Sequence, residues 1–569
     1  MKSPAAGTSS FSIAWLWILP AVALGAATAL DPEFRNNCFL YLPYYLIALL
    51  VFAWAATAIA LLREESPGMD FWRRDRGLAL VGCLLFAALI FLSVPPYYRV
   101  LSDETNMLSV SRSMVLHHST HNVIQAKWTY FNERSFEFIY EKRPFLFPWL
   151  VSLAHLVFGY RFWNPFLVNG IALGGVFFLV YSRVRRDWGA VSAAACVLLI
   201  AAQPVVTQTA ASAGIDMLYV LFLIVSLLSL EAFLEKPGTL RFAMLWANLL
   251  MLANTRYEAP LYVVLILGGL ALMRKIRREY FRNAFIYAVT PLVMLPTIWQ
   301  RIEMRMRLEI PEGEKAFALD HFWSHNAAFL KSLLHFDNAL PYAGVIHLAG
   351  LAAALYFSVQ WLRRRWPVDP ARRSWFLLTA VVCLAYWVVV NAHYSLFLTD
   401  PSGCRVMTWS AVVFSVLAFL LLMNLSGGRL KGFPVILAAL LLFVFYHPIS
   451  IRNYFSNGLV LTREYRQVIS FLNSRPRRDT LVISNVPGHY TVLERGGVKF
   501  LFANEQKENL LHQIRENLFQ EVIAVQEIDA ISGLPTEDTR LDPDYHLETL
   551  DELDHKMGQF IRISRVVPS

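Results

Sequence analysis

The sequence predicts a polytopic α-helical membrane protein of about thirteen spans, with a small water-soluble α/β domain at its C-terminal end. Three observations carry this. The chain is 56% hydrophobic and 14% aromatic but only 16% charged over 569 residues, too little polar surface to cover a soluble globule of that size. Its apolar residues gather in stretches such as Phe11–Leu30, Leu40–Leu62 and Gly77–Pro95, each long enough at about 1.5 Å per residue to cross a hydrocarbon core about 30 Å thick. From about Gly458 short β-type runs alternate with helical patterns, and no later stretch is long enough to span.

The net charge of +9 does not imply nucleic acid, because Lys and Arg sit in short clusters between apolar segments and not on one basic face. They are topology signals. The clusters are Arg63/Arg73/Arg74/Arg76, Arg183/Arg185/Arg186, Lys236/Arg241, Arg274/Lys275/Arg277/Arg278/Arg282, Arg363/Arg364/Arg365/Arg372/Arg373 and Arg429/Lys431. Placing all six in the cytoplasm gives thirteen spans: 11–30, 40–62, 77–95, 164–182, 189–209, 217–235, 241–256, 259–274, 283–300, 342–362, 374–393, 405–424 and 433–447. The N-terminus is then cytoplasmic and the C-terminus external. Phe145–Tyr160 is read as an interfacial or re-entrant helix on the outer side, since a span there would put Arg183, Arg185 and Arg186 outside. Residues 315 and 540 are expected outside and residue 368 inside.

The domains that follow are an N-terminal transmembrane hairpin (1–76), a transmembrane domain (77–447) with outer loops 96–163 and 301–341, and a soluble domain (458–569) expected to fold alone. Its strands are expected at Thr480–Ser484, Val498–Phe502, Glu521–Val525 and Phe560–Val566, and its helices around Arg463–Asn473 and Glu505–Leu518. The first apolar stretch is too long for the 7–15-residue core of a cleaved signal. Cys83, Cys196 and Cys383 lie within spans and only Cys38 and Cys404 in outer loops, so the five cysteines make no disulfide framework. No GxxxxGK[ST], HExxH or CxxC motif occurs, which removes the nucleotide-hydrolase and zinc-hydrolase classes.

Long loops on one face are where a membrane enzyme places chemistry on a headgroup or water-soluble substrate. The first opens with Ser102-Asp103-Glu104-Thr105 and continues as an amphipathic helix with Met107, Val110, Met114 and Val115 on one side. Ser102 reads as its N-cap, with acids in the first turn complementing the helix dipole. On the same side Glu141-Lys142-Arg143-Pro144 follows, and Ser212-Ala213-Gly214-Ile215-Asp216-Met217 begins a span. Carboxylate, cation and carboxylate at one interface could activate an acceptor and hold an anionic phosphate.

This order of an acidic pair after a span, an amphipathic helix, a Lys-Pro-type element and a small-residue run ending in Asp resembles the glycosyltransferase C superfamily. The similarity is to the branch of protein O-mannosyltransferases and the aminoarabinose transferase of lipid A, glycosyltransferase family 39-like. It covers Leu78 to Asp216 and extends more weakly through Arg405. The resemblance implies transfer of a sugar from a polyprenyl-phosphate donor to a lipid or protein acceptor, with inversion, at the outer face of the membrane. In a bacterium that face would be the periplasmic side of the inner membrane. By position it implies Asp103, Glu104 and Asp216 as catalytic acids, with Asp103 the base, and Lys142, Arg143, Arg256 and Arg405 as donor-phosphate ligands. Arg143 stands where relatives have proline and Met107 where an aromatic residue is common. Asn254-Thr255-Arg256-Tyr257-Glu258 stands where they have a Thr-Lys-Gly-Pro-like element.

A divalent metal is the one cofactor considered. Its candidate ligands are Asp103, Asp216, His117 and His121, the histidines facing one way only if the helix continues through 121. Membrane lipids are the remaining expected partner. Two other classes compete: an oligosaccharyltransferase, against which stands the absence of any Trp-Trp-Asp element, and a transporter, which would place charges at mid-bilayer in broken helices of two similar halves. The glycosyltransferase reading requires Asp103, Lys142, Asp216 and Arg405 to line one cavity, with an apolar groove opening onto it.

Overall fold

Apolar runs of spanning length become helices because lipid offers the backbone no other hydrogen-bond partner, and the computed structural model shows them. It describes residues 32–65, 74–129, 132–281, 285–306, 315–334, 342–363, 370–394, 398–427, 432–456, 460–554 and 558–567. Eight of the described helices are long and apolar enough to cross a membrane: Asn36–Glu64, Arg76–Ser93, Asn164–Ala201, Asp216–Glu235, Gly344–Leu362, Pro370–Ala392, Gly403–Leu425 and Phe433–Asn453. Four apolar helices are shorter, Leu146–Phe158, Thr239–Ala253, Pro260–Leu272 and Phe285–Gln300. The expected span at 11–30 lies outside the described residues.

The count differs from thirteen because the span at 11–30 is not among the described residues, three expected spans are short helices and two share one continuous assignment. Asn164–Ala201 contains Gly189 at φ 82° and ψ 174°, a backbone conformation that breaks a helix. As a straight rod its 38 residues would be about 57 Å long. Yet Asn169 near its start donates to the carbonyls of Ser212 at 2.7 Å and Gly214 at 2.8 Å. The eleven residues from Ala201 to Ser212 are too few to return over most of that length, so the chain turns back at Gly189 into two antiparallel arms. The expected spans 164–182 and 189–209 are thus separate arms, the second ending at Ala201 and followed by the short helix Pro204–Ala210.

The turn places Arg183, Arg185 and Arg186 at the far end of the bundle. There Arg183 pairs with Glu231 at 2.8 Å and Arg186 with Glu235 at 3.2 Å, near the C-terminus of the helix that starts at Asp216. The helices carrying Lys236/Arg241 and Arg274–Arg278 likewise begin or end there, while their opposite ends hold Asp216, Asn254 and Arg256. One end of the bundle is basic; the other carries the long loops.

On the loop-bearing end the first outer loop does more than make a helix. Residues His121–Thr129 (β1) and Asn132–Tyr140 (β2) form a hairpin that joins the C-terminal strands β3 (Thr480–Ile483), β4 (Gly496–Val498), β5 (Glu521–Asp529), β6 (His546–Asp554) and β7 (Gln559–Val567). The seven-stranded sheet has the order β2-β1-β4-β3-β5-β7-β6, parallel only at β3/β4 and β3/β5. Three expected strands are β3, β5 and β7. The fourth is displaced, since β4 ends at Val498 and Phe500–Glu505 is helical. The expected helices are Val460–Asn473 and Lys507–Arg515. The acid-rich edge strand β6 and the hairpin were not anticipated, and the boundary at 458 therefore cuts through a sheet.

The sheet domain and the bundle share a core. Tyr98, Leu108, Phe166 and Ala213 pack with Tyr465, Val468, Tyr490, Val492, Ile523 and Ile561. Buried Arg112 ties three segments at this seam: it pairs with Glu133 of β2 at 2.8 Å, donates to the Thr491 carbonyl at 3.2 Å and stands over the rings of Trp128 and Tyr160. Topology is checked with single cysteines in a Cys38→Ser background. An impermeant thiol reagent added to intact cells should label Lys315→Cys and Arg540→Cys and spare Arg277→Cys; labelling of the last would reverse the assignment of faces.

Candidate active site

The site begins where the span Arg74–Ser93 meets the helix Leu101–His117, the acid helix. Ser102 was expected to cap it, but the cap is Val100, which makes no side-chain cap bond, and Ser102 lies in the first turn. Glu104 does the capping instead. Its Oε1 accepts from the Val100 N–H at 3.3 Å, and its Oε2 from the N–H groups of Arg99 at 3.1 Å and Ala213 at 3.0 Å. Burial pushes this carboxyl up to about 6, against the pull of Arg405 and the Ala213 and Arg99 amides. Glu104 thus fastens the acid helix to the small-residue run. A Cβ on Gly214 would lie 3.3 Å from Asp216 Oδ2, a close approach that a glycine avoids.

With Glu104 turned to the backbone, Asp103 faces the interior of the site. One carboxylate oxygen takes Arg143 and the other takes Arg405 Nη2 at 2.5 Å. Arg405 Nε stands 3.8 Å from Asp216 Oδ2, whose Oδ1 is paired with Arg256. Outward from these, Arg143 Nη1 meets Glu141 at 2.6 Å and Arg256 Nε meets Glu258 at 2.6 Å. The result is one alternating line, Glu141, Arg143, Asp103, Arg405, Asp216, Arg256, Glu258: four carboxylates against three guanidiniums, formal charge −1. Burial works to raise the Asp103 carboxyl, but Arg143 and Arg405 outweigh it and hold it well below the usual carboxylate range.

Loops and neighbours hold each member. Asp400 accepts from the N–H groups of Ser402 at 2.8 Å and Gly403 at 2.7 Å, starting the short 3₁₀ turn Gly403–Met407 that presents Arg405. Arg99 donates to Thr209 Oγ1 at 2.8 Å and to the Pro401 carbonyl at 3.0 Å, tying the same loop to the bundle. Asn122 Nδ2 donates to Glu141 at 3.3 Å, and Gln300 Nε2 to the Arg143 carbonyl. Tyr386 donates to Glu258 at 2.9 Å and stacks against the rings of both Tyr219 and Tyr262, which also meet each other. The line is open at its middle: the side chains of Asp103 and Arg405 are 20% and 18% exposed, those of Glu141 on one side and Asp216 on the other 1% and 2%.

The structure brings together Asp103, Asp216, Arg143, Arg256 and Arg405. Lys142 is exposed, and Arg143 is the residue of that pair turned inward. The histidines do not share a helical face with each other or meet the acids. The acid helix ends at His117, His118 takes a left-handed conformation at φ 49°, and His121 opens β1 with its Nδ1 2.8 Å from Ser119 Oγ. Among the described residues no three His, Cys, Asp or Glu side chains are placed to hold a metal, and Asp103 and Asp216 meet arginines. An open groove of about 420 Å³ beside His117 and His121, lined also by Tyr41, Phe136 and Phe138, lies at the other end of the acid helix, about 21 Å from Asp103 at 1.5 Å per residue. Sequence reasoning passed over Glu258, Tyr386, Arg99 and Gln300 as site members. Glu141 and Glu258 carried a signal, an acid two residues from an arginine.

Comparison with known proteins finds one family over part of the chain. Residues 142–299 match the family described as dolichyl-phosphate-mannose-protein mannosyltransferase, a stretch that contains Arg143, Asp216, Arg256 and Glu258 of the ion line. The likeness to the glycosyltransferase C superfamily rests on this segment, and the eight long apolar helices make the chain a multi-pass membrane protein. Among solved structures it is similar to ArnT from Cupriavidus metallidurans bound to undecaprenyl phosphate, at 14% identity and a TM-score of 0.48 over 85% of this chain and 97% of that one. The apo state of the same protein gives 14% and 0.48 over 86% and 98%. The oligosaccharyltransferase of Archaeoglobus fulgidus in complex with Zn and sulfate gives 14% and 0.44 over 84% and 72%. No curated protein sequence matches the chain significantly.

The placements of Glu104 and Lys142 separate in stability. Glu104→Ala strands three backbone donors and should cost about 1–3 kcal/mol, whereas Lys142→Ala should stay within about 0.5 kcal/mol of the parent. Thermal unfolding of the purified proteins in detergent reads both. Equal midpoints for Glu104→Ala and the parent would remove Glu104 from its structural role.

Proposed function

We propose that the protein moves a sugar from a polyprenyl-phosphate carrier to a lipid or protein acceptor at the outer face of the membrane, with inversion at the anomeric carbon. The observation that carries the reading is the meeting of Asp103 and Asp216 on the single guanidinium of Arg405, at the end of the bundle opposite the basic loops. As the glycosidic C–O bond to phosphate breaks, negative charge grows on the leaving phosphate, and fixed guanidiniums stabilise it at no reorganisation cost. Arg405 and Arg143 are the accessible pair for that task. The acceptor hydroxyl loses its proton as it attacks, and Asp103 is the carboxylate placed to take it. Attack from the side opposite the leaving phosphate inverts the centre. The matched mannosyltransferase family supports the same donor class. In a bacterium the site would face the periplasm from the inner membrane. A divalent ion at Asp103 and Asp216 would first have to displace their arginines.

The purified protein, given a polyprenyl-phosphate sugar and a membrane-lipid extract, should form a glycosylated product visible by mass spectrometry. Asp103→Asn should lower that rate by about 10²- to 10⁴-fold, the usual worth of a general base. A wild-type rate in this variant contradicts the assignment of Asp103.

A further inference from the structure

The ion line leaves one problem for the reading above. If Arg143 and Arg405 bind the donor phosphate, they must do so while already occupied by Asp103, which is also the residue that has to accept a proton. Both oxygens of Asp103 are engaged by these two guanidiniums. A carboxylate in that position competes with phosphate for the same donors and is a poor base, because each cation stabilises its charged form.

Three features resolve this. First, Asp103, Arg143 and Arg405 form the exposed middle of the line, with side chains 20%, 10% and 18% exposed, so an anion from outside meets them before Glu141, Asp216 or Arg256. Second, the two arginines have anchors of their own. Arg143 is held by Glu141 through its side chain at 2.6 Å and its backbone N–H at 3.0 Å, and Glu141 is buried. Arg405 has Asp216 at 3.8 Å, and that Oδ2 accepts no hydrogen bond among the described residues. Third, Glu258 and Tyr386 keep Arg256 fixed on Asp216 from behind. Removing the Asp103 carboxylate from the line therefore leaves both arginines oriented, each with one acid still beside it.

We infer that Asp103 occupies the phosphate position of the empty site as a displaceable latch: a phosphate monoester or diester binding between Arg143 and Arg405 releases Asp103 to the acceptor, while Glu141 is a positioning residue that keeps Arg143 aimed at the phosphate. This rests on the donor class proposed above. It makes the base available only when the donor is bound, and no covalent step is added to the transfer itself. The site also takes phosphate on guanidiniums whose charge is already balanced, so binding exchanges one anion for another without burying net positive charge in the empty state.

The latch predicts opposite signs for two neutralising substitutions. Full-length wild type, Asp103→Asn and Glu141→Gln are titrated in detergent with a polyprenyl phosphate and, separately, with inorganic phosphate, and thermal unfolding confirms that each is folded. Asp103→Asn should bind the polyprenyl phosphate about tenfold more tightly than wild type, since its competitor is gone, and Glu141→Gln about tenfold more weakly, each near one factor of ten per 1.4 kcal/mol. A structural role for either acid would weaken both variants or neither. Unchanged or weaker binding by Asp103→Asn overturns the latch; Asp103→Ser takes its place if the asparagine variant does not fold. A wild type that ignores polyprenyl phosphate but binds inorganic phosphate with the same opposite shifts upholds the latch and removes the lipid donor. Binding of polyprenyl phosphate by all three with equal affinity removes the latch and leaves the donor reading standing.

Discussion

Everything at the site turns on one guanidinium. Arg405 is shared between Asp103, at the start of a helix outside the bundle, and Asp216, at the first residue of a span, 113 positions apart in the chain. Two carboxylates brought this close would repel and raise each other's proton affinity; a cation between them removes that penalty and fixes their separation. The remaining arginines repeat the device, so the line can be buried on either side of its exposed middle without leaving an isolated charge in a medium where such a charge is costly. The geometry follows from electrostatic necessity as much as from function.

That line must be held from outside the membrane, because the acid helix lies in a loop. The seam between bundle and sheet supplies the support. The hairpin β1/β2 runs on from the acid helix and ends one residue before Glu141, so the strand that completes the sheet also delivers Glu141 and Arg143 to the site. Arg112, one face of the acid helix away, closes the same seam against Glu133 and Thr491. The C-terminal domain is thus part of the scaffold of the site.

The bundle was legible because lipid imposes a rule with few exceptions: apolar length makes a helix, and basic clusters give direction. Both arms on either side of Gly189 and the common face of Asp103, Asp216, Arg256 and Arg405 follow from that parity. The hairpin was not legible, since β1 carries Asn122, Gln125 and Lys127 among its apolar residues and its partner β4 lies more than 350 residues away; a long-range pairing leaves little mark on local periodicity. The acidic strand β6 was hidden for a related reason, as edge strands carry charge to block further pairing. At the site, several residues singled out in the sequence come together, but their orientations were not legible. Which of Asp103 and Glu104, or of Lys142 and Arg143, turns inward depends on the backbone N–H groups of Ala213 and Val100 and on where β2 ends, and neither is written locally.

The account's central claim concerns where a phosphate sits, and a structure of the full-length protein with a bound polyprenyl phosphate addresses it directly. The phosphate should lie between Arg143 and Arg405 within hydrogen-bond distance of both, with the Asp103 carboxylate turned away from them and Glu141 still on Arg143. A phosphate found elsewhere, for instance in the groove beside Phe136 and Phe138, with Asp103 still paired to Arg143 and Arg405, would contradict it.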